Sequence, residues 1–167
     1  MSPPAEGAEI ERFLCARRVA ILALARDGRP PLCSPVWYER EPGRFLILVE
    51  ATSAKARLLE KCESVPTTVT VQSEVPPYRH ALILGRARIV PALDTAGLNA
   101  RLARHYLGRV GGDLYVKEQE RRGLTAALMR LVEISDENVV YKNFGADLGM
   151  AERLFLAVQR PFRPVPA

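Results

Sequence analysis

The sequence predicts a mainly β protein with helices, an α+β chain whose six strands form a small antiparallel barrel. Three observations carry this expectation. Short apolar or alternating runs recur between Val19 and Val90. Tight-turn signals separate them, Asp27-Gly28 and Glu41-Pro42-Gly43 above all. Laid flat, such strands would leave long apolar edges exposed, and closure removes those edges.

The elements follow in order. Ala8 to Arg17 sets Ile10, Phe13 and Leu14 at helical spacing, which predicts a short amphipathic helix. Val19 to Leu24 is a first strand, Leu32 to Arg40 a second and Phe45 to Val49 a third. Two successive tight hairpins predict that these three are neighbours in a meander. A helix from Ser53 to about Cys62 follows, then a fourth strand over Val65 to Gln72, where Val69-Thr70-Val71 is β-branched throughout. Arg79 to Val90 is the fifth strand, and Gly85 inside it predicts a bulge or sharp bend. Asp94 to Gly108 and Asp113 to Arg130 read as helices, with Leu98, Leu102, Tyr106, Leu124, Leu128 and Leu131 turned inward. Leu131 to Phe144 is the sixth strand, Ala151 to Val158 a last short helix, and the end of the chain a Pro-rich tail. The expectation is one domain over 1–167, with its core in 8–90 and 131–144, a helical insertion at 94–130 and a tail at 159–167.

The bulk properties exclude several classes. A chain of 167 residues with 48% hydrophobic and 26% charged residues suits one soluble domain with a real core. No apolar run approaches the roughly 20 residues that cross a bilayer, and Met1 to Glu6 has no secretory pattern. Cys15, Cys33 and Cys62 are odd in number and scattered, which predicts reduced, buried thiols in a cytoplasmic protein and no zinc site. The net charge of +5 suggests nucleic acid at first sight. The cations are spread and mixed with acids, as in Glu118-Gln119-Glu120-Arg121-Arg122, so a solvated surface is the reading and no nucleic-acid partner is expected.

One stretch points to chemistry. A helix starting at Thr52 or Ser53 leaves its first N–H groups unpaired, with Lys55 and Arg57 inside the first turn. Hydroxyls and cations at a helix start predict a phosphate site. Tyr78 and Arg79, opening the fifth strand after Pro76-Pro77, are candidate contacts to a substrate or the far end of a cofactor. Trp37 and Tyr38 face opposite sides of their strand, one for the core or an interface and one for a ligand's border. His80 and His105 are too few for a metal site. No Gly-x-Gly-x-x-Gly, Walker loop or Ser/His/Asp pattern is present, so dinucleotide-fold and hydrolase chemistry have no support.

In order and spacing, Ala20–Leu24, Asp27–Pro30, Pro35–Tyr38, Phe45–Val49, Ser53/Lys55/Leu59 and Gly85–Ala87 resemble the split-barrel flavin-binding superfamily, also called pyridoxamine phosphate oxidase-like. The resemblance covers about Phe13 to Val90. It implies a split barrel, a homodimer, and a flavin or deazaflavin at each of two sites between subunits. By that resemblance Ser53 and Lys55 match the phosphate clamp, with Thr52 and Arg57 as helpers. Pro35, Val36 and Trp37 match the strand that edges the isoalloxazine. Val49, Glu50 and Ala51 match the end of the next strand, and Gln72 the following one. Tyr141-Lys142-Asn143-Phe144 falls where related proteins often place an aromatic from the second subunit over the ring, a role the resemblance gives to Lys142 or Phe144.

The activity implied is that of an FMN-dependent oxidoreductase passing a hydride to or from a small conjugated substrate. The cofactor carries the electron chemistry, which accounts for the lack of an acid–base pair. Alternatives are a deazaflavin-dependent reductase and a non-enzymatic binder of flavin or, less in keeping, haem.

Overall fold

The computed structural model describes residues 4–91, 94–145 and 149, and the helix and tail expected beyond 150 lie outside them. The elements are α1 (Pro4–Cys15), β1 (Ala20–Leu24), β2 (Leu32–Val36), β3 (Glu39–Glu41), β4 (Arg44–Glu50), α2 (Ala54–Leu59), β5 (Val65–Gln72), β6 (Arg79–Val90), α3 (Thr95–Arg121), a 3-10 turn (Ala126–Leu128), β7 (Met129–Ser135) and β8 (Asn138–Asn143). The described residues thus form eight strands, against six expected, in one antiparallel sheet ordered β2-β1-β5-β6-β7-β4-β3, with β8 also on β6.

Both extra strands come from splitting an expected one. The run Leu32 to Arg40 breaks at Trp37-Tyr38. Before the break β2 pairs with β1, and after it β3 pairs with β4 at the far end of the sheet. The expected meander is therefore wrong: β2 and β4 are not neighbours. The break has a long-range cause, because the Tyr38 N–H donates to the Tyr106 hydroxyl (3.2 Å) and not to a strand. Tyr38 buries its ring and donates its own hydroxyl to the Leu14 carbonyl at 2.7 Å. Consecutive residues thus join the first and last strands of the order, so the sheet curls into a split barrel.

The expected strand Leu131 to Phe144 divides in the same way. Ala87 faces Ile134 in β7, whereas Leu84 faces Asn138 in β8. Gly85 and Arg86 therefore stand against Ser135, Asp136 and Glu137, two residues against three, which is a β-bulge. The sequence placed the irregularity on Gly85's strand; it lies on the partner strand, pressed against Gly85. The extra length is held by the Arg86 N–H on Ser135 Oγ (2.9 Å) and the Glu137 N–H on the Leu84 carbonyl (3.0 Å). The bulge also aims Asp136 at Arg40 of β3, whose side chain is 4% exposed and bonds Glu11 of α1 as well.

Inward positions alternate as a barrel requires. Leu22, Leu24, Phe45, Ile47, Val69, Val71, Ile83, Val132 and Ile134 are fully buried, joined by Phe13 and Leu14 from α1 and Ala56 and Leu59 from α2. Each large side chain so buried contributes roughly 1.5–3 kcal/mol. Thr67 sits among them with its hydroxyl on the Val65 carbonyl, so its polarity is satisfied. The cysteines depart from expectation: Cys15, Cys33 and Cys62 are free but exposed. Cys33 lies on the outward parity of β2, Cys15 is the last residue of α1, and Cys62 follows the end of α2.

The insertion is a helical hairpin. α3 leaves helical geometry at Gly108, with φ of 76°, and the chain doubles back. Gly112 then packs so closely that a Cβ there would sit 2.5 Å from the Arg104 backbone nitrogen. Leu98, Leu102 and Tyr106 bury against Leu46, Leu48 and Leu131 on the outer face of β4 and β7. Helix ends at Arg121, not Arg130, and Leu128 is exposed, so the expected inward stripe stops short.

Candidate functional site

A cleft of about 990 Å³ opens between the helical hairpin and the barrel. That is the size of a cofactor or large-ligand pocket. On the barrel side it is bordered by Pro35, Val36 and Trp37, by Val49 and Glu50, and by Ser53 and Lys55. Seven expected site residues, drawn from β2, β4 and the start of α2, therefore meet on one wall.

The cation end follows from local folding. β4 stops at Glu50, the Ala51 N–H donates to the Leu128 carbonyl, and the Ser53 N–H donates to the Glu50 carbonyl. This places Ser53 as N-cap, its Oγ accepting from the Ala56 N–H at 3.1 Å. Lys55 then reaches back to β2, where its Nζ donates to Ser34 Oγ at 3.1 Å. Among the described residues no carboxylate pairs with Lys55, so two of its three N–H donors are free. The helix is only six residues, shorter than the expected run to Cys62, so side chains more than the helix dipole supply the positive field. Arg57 is exposed and bonds the Thr52 carbonyl, turned onto its own loop. Ala51, Thr52 and Arg57 adjoin the cleft without lining it.

Aromatic rings make the next wall. Trp37 stacks on Tyr106 with centroids 4.9 Å apart and planes 4° from parallel, and Tyr115 leans on it at 5.4 Å. Burial raises the Tyr106 phenol above its ordinary pKa, so it stays a neutral donor, here to the Arg18 carbonyl at 2.8 Å. Of the two neighbouring aromatics, Tyr38 is core and Trp37 borders the cleft.

Four expected site residues lie elsewhere. Gln72, His80 and Lys142 form one register row across β5, β6 and β8, facing outward. Tyr78 is 55% exposed beside that row. Arg79 points the other way and lays its guanidinium over the Phe13 ring. Within one chain none of these borders the cleft.

The hairpin's contribution was not foreseen. Asn99, Leu102, Tyr115, Glu118, Gln119 and Arg122 close the far wall. Hydrogen bonds from Arg121 and Arg122 hold the Glu118 carboxyl down to about 2, so it is ionised at the rim. The signal available in the sequence was two polar amides, Asn99 and Gln119, amid the inward positions of the hairpin.

No family model matches the sequence, and no curated protein matches it significantly. Solved structures do match. An FAD and haem binding protein from Mycobacterium smegmatis superposes with a TM-score of 0.62 at 17% identity, over 96% of this chain and 86% of that one. A FAD-binding protein from Mesorhizobium loti gives 0.56 at 19%, over 80% and 91%. An F420 reductase gives 0.53 at 18%, over 78% and 94%. The fold of this chain is therefore the split barrel that these solved structures share.

Proposed function

We propose that the protein is a flavin-dependent oxidoreductase, with FMN held in the cleft between the barrel and the helical hairpin. One observation carries the reading: a half-buried lysine with no anionic partner among the described residues shares a cleft with a flat aromatic wall. Lys55 and the Ser53 hydroxyl fit a phosphate, and Pro35, Val36 and Trp37 fit the edge of a planar ring. When bound, the flavin supplies hydride chemistry at its central ring. The chain's part is to bind, orient and shield. Leu48, Leu102, Leu124 and Met129 exclude water from the cleft. Neither histidine borders it: His80 lies against Phe144 and His105 against Tyr106. Proton delivery by a histidine is thus no part of the scheme.

Stopped-flow reduction of the FMN-loaded protein by NAD(P)H or reduced deazaflavin tests the activity. A bound flavin that is reduced and reoxidised within seconds is expected. His80→Gln and His105→Gln should each slow turnover by less than about tenfold, short of the 10²–10⁴ expected for loss of a general acid. A flavin that binds and never turns over would leave a binding protein. A deazaflavin, the chemistry named for one of the similar structures, presents a phosphate to the same lysine. Parallel titration with both decides between them. Haem is less suited, because among the described residues no histidine or cysteine borders the cleft and only Tyr115 and Met129 could hold its iron.

The protein is further proposed to act as a homodimer. Pro35, Ile21, Thr70, Leu82 and Val140 form one register row across β2, β1, β5, β6 and β8. Around it Val19, Ile21, Leu84 and Val140 are 39–44% exposed, an apolar face that a second copy would cover. Pro35 and Val19 belong to that face and to the cleft, so a partner seated there reaches the site. Such seating is also the route by which Gln72, Tyr78 and Lys142 would meet a flavin, whereas Arg79 faces the Phe13 ring on the other side. Sedimentation equilibrium should report about twice 18.5 kDa, and Ile21→Lys should shift it toward the single mass. A parent protein that sediments as a folded monomer would sink the shared site.

A further inference from the structure

We infer that Asn99 and Gln119 form a reader for a planar –NH–C(=O)– edge, the imide or lactam of a ring lying in the cleft. This rests on the cleft being a ligand site, as proposed above. Asn99 stands on the first arm of the hairpin and Gln119 on the second, and both line the cleft. The Asn99 amide donates from Nδ2 to Gln119 Oε1 at 2.8 Å. Gln119 is only 9% exposed, so its amide is desolvated on the protein side.

The two amides hold four kinds of polar atom, and their mutual bond uses one donor and one acceptor. Asn99 Oδ1 and Gln119 Nε2 are left, with no partner among the described residues. The conclusion does not depend on how either amide is oriented. If both are flipped, the bond runs from Gln119 to Asn99, and a free carbonyl and a free NH₂ remain on exchanged residues. In either arrangement the pair offers one acceptor beside one donor. A ring N–H next to a ring carbonyl is the complementary pattern, and it satisfies both in one plane. A charged ligand group would leave one of the two unmatched. The surrounding wall, Leu102, Leu124 and Tyr115, is apolar and flat, suited to the rest of such a ring. The bond also ties the two arms together, so the reader is held by the same contact that shapes the wall.

The edge has two sources, the pyrimidine end of the flavin or a second, imide-bearing molecule. Calorimetric titration of the unmodified protein with FMN and 3-methyl-FMN tests the first. Titration of both the apo and the FMN-loaded protein with phthalimide and N-methylphthalimide tests the second. Blocking the N–H should cost about tenfold in affinity in one of these pairs, the size of one or two hydrogen bonds. In Gln119→Leu and Asn99→Leu the N–H and N-methyl partners should bind alike. Discrimination between the flavins assigns the edge to the cofactor, and discrimination between the phthalimides assigns it to a second ligand. Equal binding within both pairs overturns the inference, whether or not the variants fold. A protein that binds no FMN defeats the flavin reading alone, because the apo-protein phthalimide pair still tests the reader.

Discussion

Replacing Lys55 by alanine should weaken FMN binding by about ten- to a hundredfold while leaving riboflavin binding nearly unchanged. The magnitude follows from a charge-assisted hydrogen bond, roughly 1.5–3 kcal/mol, converted to affinity. The direction follows from what surrounds the ammonium. Among the described residues its one bond is to a neutral hydroxyl, Ser34 Oγ, and no carboxylate pairs with it. A phosphate arriving there gains a full counter-charge without displacing a competing anion. Riboflavin has no phosphate, so it cannot report the loss. Arg57→Ala is the informative contrast, since its guanidinium is engaged with the Thr52 carbonyl and sits outside the cleft lining. That variant should lose no more than a few-fold. Fluorescence titration of the two ligands against the three proteins gives the result. Equal FMN affinity for Lys55→Ala and the parent would mean that the phosphate sits elsewhere.

What the sequence made legible divides along physical lines. β1, β5 and β6 were found within a residue or so, because period-2 burial writes itself into a strand whose two faces differ. The helix start was legible as Thr52 or Ser53 because a hydroxyl there can satisfy the first turn, and the structure gives the cap to Ser53. Pro35 to Trp37 and Val49 to Glu50 were named through the family resemblance and not from any local signature, and the structure sets them along one cleft. The splits at Trp37-Tyr38 and at Ser135–Glu137 were not readable. Each depends on a long-range partner, the Tyr106 hydroxyl in one case and Gly85 in the other, and no local pattern encodes either. The far wall escaped because α3 has little amphipathic contrast past Gly108. Leu114 and Val110 face outward there, while Gln119 turns inward. A polar residue facing a ligand looks, in sequence, like a polar residue facing water.

The bulge opposite Gly85 sets the second large expectation, that Gly85→Val destabilises the fold by about 3 kcal/mol or more. A Cβ built on Gly85 falls 1.7 Å from the Ser135 carbonyl oxygen and 2.8 Å from its carbon. These are backbone atoms, so no rotamer change relieves the overlap; β6 and the bulge must separate. Separation strains the Arg86–Ser135 and Glu137–Leu84 bonds that hold the extra residue. It also pulls Asp136 from Arg40, leaving the buried guanidinium with Glu11 as its one carboxylate among the described residues. Overpacking by itself costs about 1–3 kcal/mol, and the weakened ion pair adds to it. For a chain of this size the sum lowers the melting temperature by roughly 6–12 °C. Gly85→Ala carries the same Cβ and should give most of the effect. Gly7→Ala in α1, where nothing lies within 4 Å, should be neutral or slightly stabilising. Thermal melts of the three variants against the parent decide the matter. A Gly85→Ala protein that melts within 2 °C of the parent would show that the two strands do not approach so closely. The one-residue offset between β7 and β8 would then need another cause.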